Sequence, residues 1–357
     1  EVSDAGCDLA PGKRAAALLE HCGEDAAMRA LVDRMLEQDG LDRGSGVLDE
    51  SDEPGAGAQV LAAGLSGAPP ERVGRYRIIR EIGRGGMGVV YEAEQESPAR
   101  HVALKVIRDA FASPQIHRRF RRESELLGRL QHPGIAHVYE AGVEVVQGRS
   151  IPFIAMEFIE GEPLTEHLAT ATSGRRGLLQ LFIRICDGVQ HAHQKGVIHR
   201  DLKPGNVLVT RASTRLSSVD DSGSQTTADS GGQPKIVDFG IARVSDPDSQ
   251  ATLQTHTGQL VGTLAYMSPE QIEGDPASID TRCDVYAIGV MLYQVLAGRM
   301  PVEISGKPVA EAARLIRESA PTPLGAIDAS LRGDLETIVA TAMEPDRERR
   351  YATAAAR

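Results

Sequence analysis

No stretch of this sequence is long and apolar enough to cross a bilayer. The best candidate, Val285 to Ala297, is short and carries Tyr286 and Gln294, so it reads as a helix buried in a core. No signal peptide opens the chain. Cysteine is scarce. Cys7, Cys22, Cys186 and Cys283 lie far apart with no C-x-x-C pair, which gives no support to a zinc ribbon or a disulfide framework and suits a reducing compartment. Positive charge is in deficit: 39 Lys and Arg stand against 50 Asp and Glu, a formal net charge of −11. That balance argues against nonspecific nucleic-acid binding and suits a soluble chain. The first residue is Glu rather than Met, as in a fragment or a processed form, so a membrane anchor beyond either end is left open.

With 357 residues, the chain has room for several domains or one large two-lobed one. Apolar residues at Ala15, Ala16, Leu18 and Leu19, then Ala27, Met28, Leu31, Val32 and Met35, recur at helical spacing. Residues 1–50 are therefore expected to be a small helical appendage of two short helices; a docking or regulatory module is the sharper alternative. Gly, Ser, Asp, Glu and Pro then accumulate, and 51–74 is expected to be a flexible acidic linker. Order resumes at Tyr76.

The alternating run Arg75 to Ile82 reads as a strand. Gly83-Arg84-Gly85-Gly86-Met87-Gly88 follows, and then Val89-Val90-Tyr91. A G-x-G-x-x-G is weak by itself, and in a dinucleotide fold it opens a helix. Here a β-branched run follows, so the glycines lie in a strand-turn-strand hairpin whose backbone N–H groups can approach phosphate oxygens. His101 to Ile107 is a strand with one lysine, Lys105, among apolar residues. Unless that lysine lies on the wet face of an edge strand, it needs a partner, because an unpaired buried ammonium is very costly. The helical stretch Phe120 to Leu127 offers Glu123 and Glu125. The cluster Arg118, Arg119, Arg121 and Arg122 reads as a solvated helix face on an acidic chain rather than a nucleic-acid surface.

Further on, a helical stripe of Leu178, Leu181, Phe182, Ile185 and Val189 leads into His199-Arg200-Asp201-Leu202-Lys203-Pro204-Gly205-Asn206. No packing rule needs an acid, a base and an amide so close together. Phosphoryl transfer does: a carboxylate to orient a hydroxyl, a cation for the travelling phosphate and an amide oxygen for Mg²⁺. Residues 211–234 are rich in Ser, Thr, Asp and Gly and poor in apolar residues, so a disordered hairpin insertion is expected there. Lys235-Ile236-Val237-Asp238-Phe239-Gly240 resumes the pattern.

These motifs occur in one order with Ser268-Pro269-Glu270 and Arg350. Over residues 75–357 the chain resembles eukaryotic-type (Hanks-type) serine/threonine protein kinases, and the Ser-Pro-Glu spelling followed by Gln271 looks bacterial. The resemblance implies an α+β, bilobal protein-kinase fold with a short N-terminal helical extension. A small antiparallel-sheet N-lobe would span about 75–156 and a helical C-lobe about 160–357, the chain stopping within the last helix.

It also implies roles. Ile82, Gly83, Arg84, Gly85, Gly86, Met87 and Gly88 would cover the ATP phosphates. Val90, Ala103 and Leu208 would enclose the adenine, with backbone groups of Glu157 and Ile159 on its edge. Lys105 would hold the α- and β-phosphates, fixed by Glu123, with Glu125 the runner-up. Asp201 would orient the substrate hydroxyl and accept its proton, Lys203 would stabilise the γ-phosphate, and Thr263 would bond near both. Asn206 and Asp238 would bind Mg²⁺. Arg200 would capture a phosphorylated threonine of the activation loop, Thr255 or Thr257. Asp284 would brace the catalytic loop, and Arg350 would pair with Glu270.

Protein substrates bearing Ser or Thr are implied, with no nucleic acid, a homodimer for trans-autophosphorylation, and a cytoplasmic location. A pseudokinase scaffold predicts damage at Lys105, Asp201, Asn206 or Asp238, and none is damaged. Small-molecule kinases of related fold generally lack the Ser-Pro-Glu segment and its arginine, both present here.

Overall fold

The computed structural model describes residues 70–85, 88–107, 114–146, 149–170, 174–210, 232–239 and 263–356. The chain divides into two units, Glu1–Gly67 and Ala68–Arg357, and the second holds every described element. The expected helical extension, most of the linker, Gly86, Met87, most of the insertion, and Thr255 and Thr257 lie outside the described residues.

Six antiparallel strands form the first sheet: β1 (Arg72–Val73), β2 (Tyr76–Gly85), β3 (Gly88–Gln95), β4 (Arg100–Ile107), β5 (Val138–Val146) and β6 (Arg149–Glu157), in the order β1-β2-β3-β4-β6-β5. Side chains alternate across a strand. Val102, Leu104 and Val106 of β4 therefore join Val89, Tyr91 and Ala93 of β3 in one apolar cluster. Ala103 and Ile107 turn to the opposite face and join the main core, and Lys105, between them, shares that face. Helix α1 (Pro114–Gly128) packs against β5, burying Phe120 and Leu127.

Two expected boundaries need correction. Arg72 and Val73, assigned to the linker 51–74, form β1 and pair with Arg77 and Tyr76. Val73 is fully buried in the outer cluster, and Gly74 at φ +53° makes the turn between the strands. Likewise Pro234, placed at the end of the insertion 211–234, belongs to β9 (Pro234–Ile236) opposite Val209. The Thr210 N–H donates to the Gln233 carbonyl at 3.0 Å, so the hairpin of β8 (Val207–Thr210) and β9 is closed at that level.

The second lobe is built around helices. α2 (Leu164–Thr170) follows β7 (Gly161–Pro163), and α3 (Gly174–Gln194) buries Leu181, Phe182, Ile185 and Val189, the stripe read from spacing. β7, β8 (Val207–Thr210) and β9 form a three-stranded sheet. α4 (Pro269–Glu273) follows the site, and α5 (Arg282–Ala297) is buried continuously from Cys283 to Tyr293, as an apolar run too short for a bilayer should be. α6 (Val309–Glu318), α7 (Leu324–Ile327) and α8 (Asp334–Ala342) complete the lobe. Among the described residues no helix is long and apolar enough to cross a membrane. The main core runs through both lobes, from Ala103 and Leu127 through Ile236 and Phe239 to Val290 and Met291.

Candidate active site

The glycine hairpin adjoins β4 through the β3–β4 ladder, the β4 lysine reaches the segment after β9, and that segment is bonded to the loop before β8. Gly88 is sterically obliged: its φ is +156°, and a Cβ there would stand 2.1 Å from the Val106 carbonyl oxygen. Gly85 meets nothing within 4 Å, so its missing side chain leaves open space rather than relieving a clash. Val90 lies opposite Lys105 in the β3–β4 register, and Ala103 lies opposite Met156 of β6. Ile82 and Arg84 are exposed, Arg84 being paired with Glu81. Leu208, half-buried on β8, is opposite Pro163 and Lys235.

Lys105 does not pair with Glu123. Its Nζ lies 2.9 Å from Asp238 Oδ1, and that is its ion pair among the described residues. Glu123 stands half-buried on α1 and Glu125 is exposed. Asp238 takes a φ of +59°, a conformation unusual for a residue with a Cβ, and its carboxylate lies within hydrogen-bond distance of the β4 ammonium. Backbone in this sparsely populated region concentrates at functional sites.

Arg200, at φ +63°, is the other non-glycine residue in that region among the described residues. Asp284, on α5 and 1% exposed, holds the loop in place. Its Oδ2 accepts from the His199 N–H and from His193 Nε2, both at 2.8 Å, and its Oδ1 accepts from the Arg200 N–H at 2.9 Å. Burial pushes this carboxyl up, but the His193 hydrogen bond, the charges of His199 and His193 and the His199 N–H outweigh it, so the net shift is below the ordinary carboxylate range. His199 bridges two segments: Nε2 donates to the Val237 carbonyl at 3.0 Å and Nδ1 accepts from the Asp201 N–H at 3.3 Å. Its ring lies 4.6 Å from that of Phe239.

Within this frame the polar groups converge. Lys203 Nζ is 3.2 Å from Asp201 Oδ2 and donates to Thr263 Oγ1 at 3.1 Å. Asn206 Nδ2 donates to the Asp201 carbonyl at 2.7 Å and lies 3.3 Å from Asp201 Oδ2. The Val237 N–H donates to the Asn206 carbonyl at 2.9 Å, so the segment carrying Asp238 is fastened to the loop carrying Asp201. A carboxylate and an amide oxygen are hard donors that suit Mg²⁺.

Several contacts carried no sequence signal. Lys235 makes a two-pronged ion pair with Glu157, 2.8 Å to each oxygen, and the Glu157 N–H donates to the His137 carbonyl at 2.8 Å. Gln271 Nε2 donates to the Arg200 carbonyl at 2.7 Å. Arg350 and Glu270 form the pair that the sequence suggested, at 2.7 and 2.8 Å, and the guanidinium also donates to the carbonyls of Glu344, Pro345 and Arg282.

Residues 76–356 match the protein kinase domain family. The chain is 37% identical over 291 residues to a probable serine/threonine-protein kinase, SCO3848, of Streptomyces coelicolor, covering 80% of this chain and 39% of that protein. It is 35% identical over 289 residues to the serine/threonine-protein kinase PknB of Mycobacterium leprae, covering 80% of this chain and 42% of that one. The chain thus spans about two-fifths of the length of these curated relatives. The crystal structure of the Mycobacterium tuberculosis PknI kinase domain superposes with a TM-score of 0.57 at 26% identity, covering 79% of this chain and 92% of that one.

Proposed function

This chain belongs to the protein kinase family, and on that premise we propose that it transfers the γ-phosphate of ATP to Ser and Thr hydroxyls of proteins. Two sets of contacts carry the reading, Lys105 with Asp238 at 2.9 Å and Asp201 with Lys203, Asn206 and, through Lys203, Thr263 at 2.7–3.3 Å, with the Val237 N–H bonded to the Asn206 carbonyl between them. Asp201 orients the incoming hydroxyl and takes its proton. Lys203 brings a positive charge beside the same oxygen, where negative charge gathers as the phosphoryl group moves. Lys105 neutralises the non-transferred phosphates, and the carbonyl of Glu157 and the N–H of Ile159 hold the adenine edge. Asn206 and Asp238 would hold Mg²⁺, which when bound supplies charge neutralisation along the β- and γ-phosphates.

Finer features belong to the same reading. Arg200 captures a phosphate on Thr255 or Thr257, added in trans by a second copy of the chain, and the protein works in the cytoplasm. A bidentate guanidinium–phosphate contact is the strong form of such capture.

The test is a transfer assay. Purified protein with γ-labelled ATP and Mg²⁺ should label itself or a generic basic protein on Ser or Thr, and mass spectrometry should find Thr255 or Thr257 among the modified positions. Protein that binds Mg-ATP and labels nothing would instead be a scaffold.

A further inference from the structure

The peptide unit that joins Arg200 to Asp201 is gripped at both ends. Its N–H, that of Asp201, donates to His199 Nδ1 at 3.3 Å, and its carbonyl, that of Arg200, accepts from Gln271 Nε2 at 2.7 Å. One residue earlier, the Arg200 N–H is held by Asp284. A peptide unit is planar, so fixing its carbonyl and its N–H fixes the position of the Asp201 Cα from which the side chain departs. The restraint matters because Arg200 sits at φ +63°, a conformation that persists only where surroundings enforce it.

Gln271 is itself held in place. Its Oε1 accepts from the Ser268 N–H at 3.1 Å and the Ser268 hydroxyl at 3.2 Å, forming the capping box that opens α4. The orientation of the amide follows from its partners: the Ser268 N–H requires an oxygen, and the Arg200 carbonyl requires an N–H. A capping box needs only the oxygen end, and Glu serves there as well as Gln. The nitrogen end is surplus to the cap and is spent on the loop that carries the reacting carboxylate.

We propose that Gln271 is a positioning residue: through the Arg200 carbonyl it sets the aim of Asp201, tying the helix behind the Thr263–Ser268 segment to the catalytic loop. The inference rests on the kinase reading of Asp201.

The test separates cap from aim. Gln271→Glu keeps the oxygen that caps α4 and sets a carboxylate against the Arg200 carbonyl; Gln271→Met is neutral and lacks both contacts. In the full chain, each variant should lower kcat by about tenfold or more while leaving the KM for ATP within about twofold, because small misplacements of a reacting group are expensive and the nucleotide-binding side chains are untouched. Hydrogen exchange in the peptide containing His199 to Leu202 should quicken in both. Only Gln271→Met should also lower the unfolding midpoint appreciably, through loss of the cap. Wild-type kcat in Gln271→Glu overturns the proposal and leaves Gln271 a helix cap. If the wild-type chain transfers no phosphate, the kinase reading fails and exchange decides alone: unaltered exchange in both variants overturns the grip on the loop as well.

Discussion

The ammonium of Lys105 and the carboxylate of Asp238 lie 2.9 Å apart, although one belongs to the central sheet and the other follows β9 in the second lobe. The two side chains are 16% and 28% exposed, so the pair is partly screened. Its opposite charges are the ones a metal-bound triphosphate needs: a cation for phosphate oxygens and an anion for the metal.

Lys105→Met removes the cation from this pair without changing side-chain length greatly. The expected outcome is a loss of about 10²–10³ in kcat/KM for ATP, the range seen when one preorganised charge-stabilising group is removed. The unfolding midpoint should change little, because partly exposed ion pairs contribute little to stability. Steady-state kinetics and a thermal melt on the same preparation check both.

Arg350 and Glu270 differ from that pair in burial: their side chains are 0% and 7% exposed. Arg350→Met would leave the Glu270 carboxylate buried without its cation, and removing one partner of such a pair costs about 3–5 kcal/mol. Urea unfolding should show that loss, and Glu270→Gln should also cost stability, because it leaves the fully buried Arg350 guanidinium without its anion. Equal stability of wild type and Arg350→Met would contradict the burial.

Asp284→Asn keeps the shape but offers one acceptor oxygen in place of two to the N–H groups of His199 and Arg200 and to His193. A fall in kcat of about a hundredfold is expected from the loosened loop. The pH dependence is signed. The folded state holds this carboxyl below its ordinary value, so its contribution is full above the unfolded pKa and is lost as pH falls through the lowered one. Below about pH 4 the wild type should lose stability more steeply than the Asn variant.

His132 lies on the loop between α1 and β5, and its ring stacks on that of His191 of α3 at 5.2 Å. Burial lowers its pKa from 6.5; the charges of His191 and Lys235 lower it further, and Asp187 opposes them. The neutral ring is the better fit, since Nδ1 accepts the Gly134 N–H at 3.0 Å. Stability is therefore full above the ordinary imidazole pKa and is lost as pH falls through the lowered one. His132→Asn can still accept from a backbone N–H two residues on and cannot titrate. Its melting temperature should fall less than that of wild type between about pH 7.5 and 5.5. Parallel curves would remove His132 from the account.

The fold was legible where one residue type had to recur at a fixed spacing. Strand alternation set Ala103, Lys105 and Ile107 on one face, and the α3 stripe could be read from its period. Arg350 with Glu270, and Asp284 with the loop, were legible because the resemblance places those residues against each other. The partner of Lys105 was not legible. Glu123, Glu125 and Asp238 are all carboxylates distant from Lys105 in sequence, and spacing alone does not encode which of them meets the ammonium. Val73 and Pro234 were misplaced because strands of two and three residues carry too few positions to show a period. The Gln271 amide and the Lys235–Glu157 pair join segments distant in sequence, and nothing local distinguishes either from a surface polar residue.

The most direct test compares wild type with Asp201→Asn, which keeps the shape of the side chain and removes the proton acceptor. Nucleotide affinity and phosphate transfer should be measured on the same preparations with Mg-ATP. The account expects binding within a few-fold of wild type and transfer reduced by at least about 10²-fold, the lower range for a general base. Transfer at the wild-type rate in Asp201→Asn would contradict it.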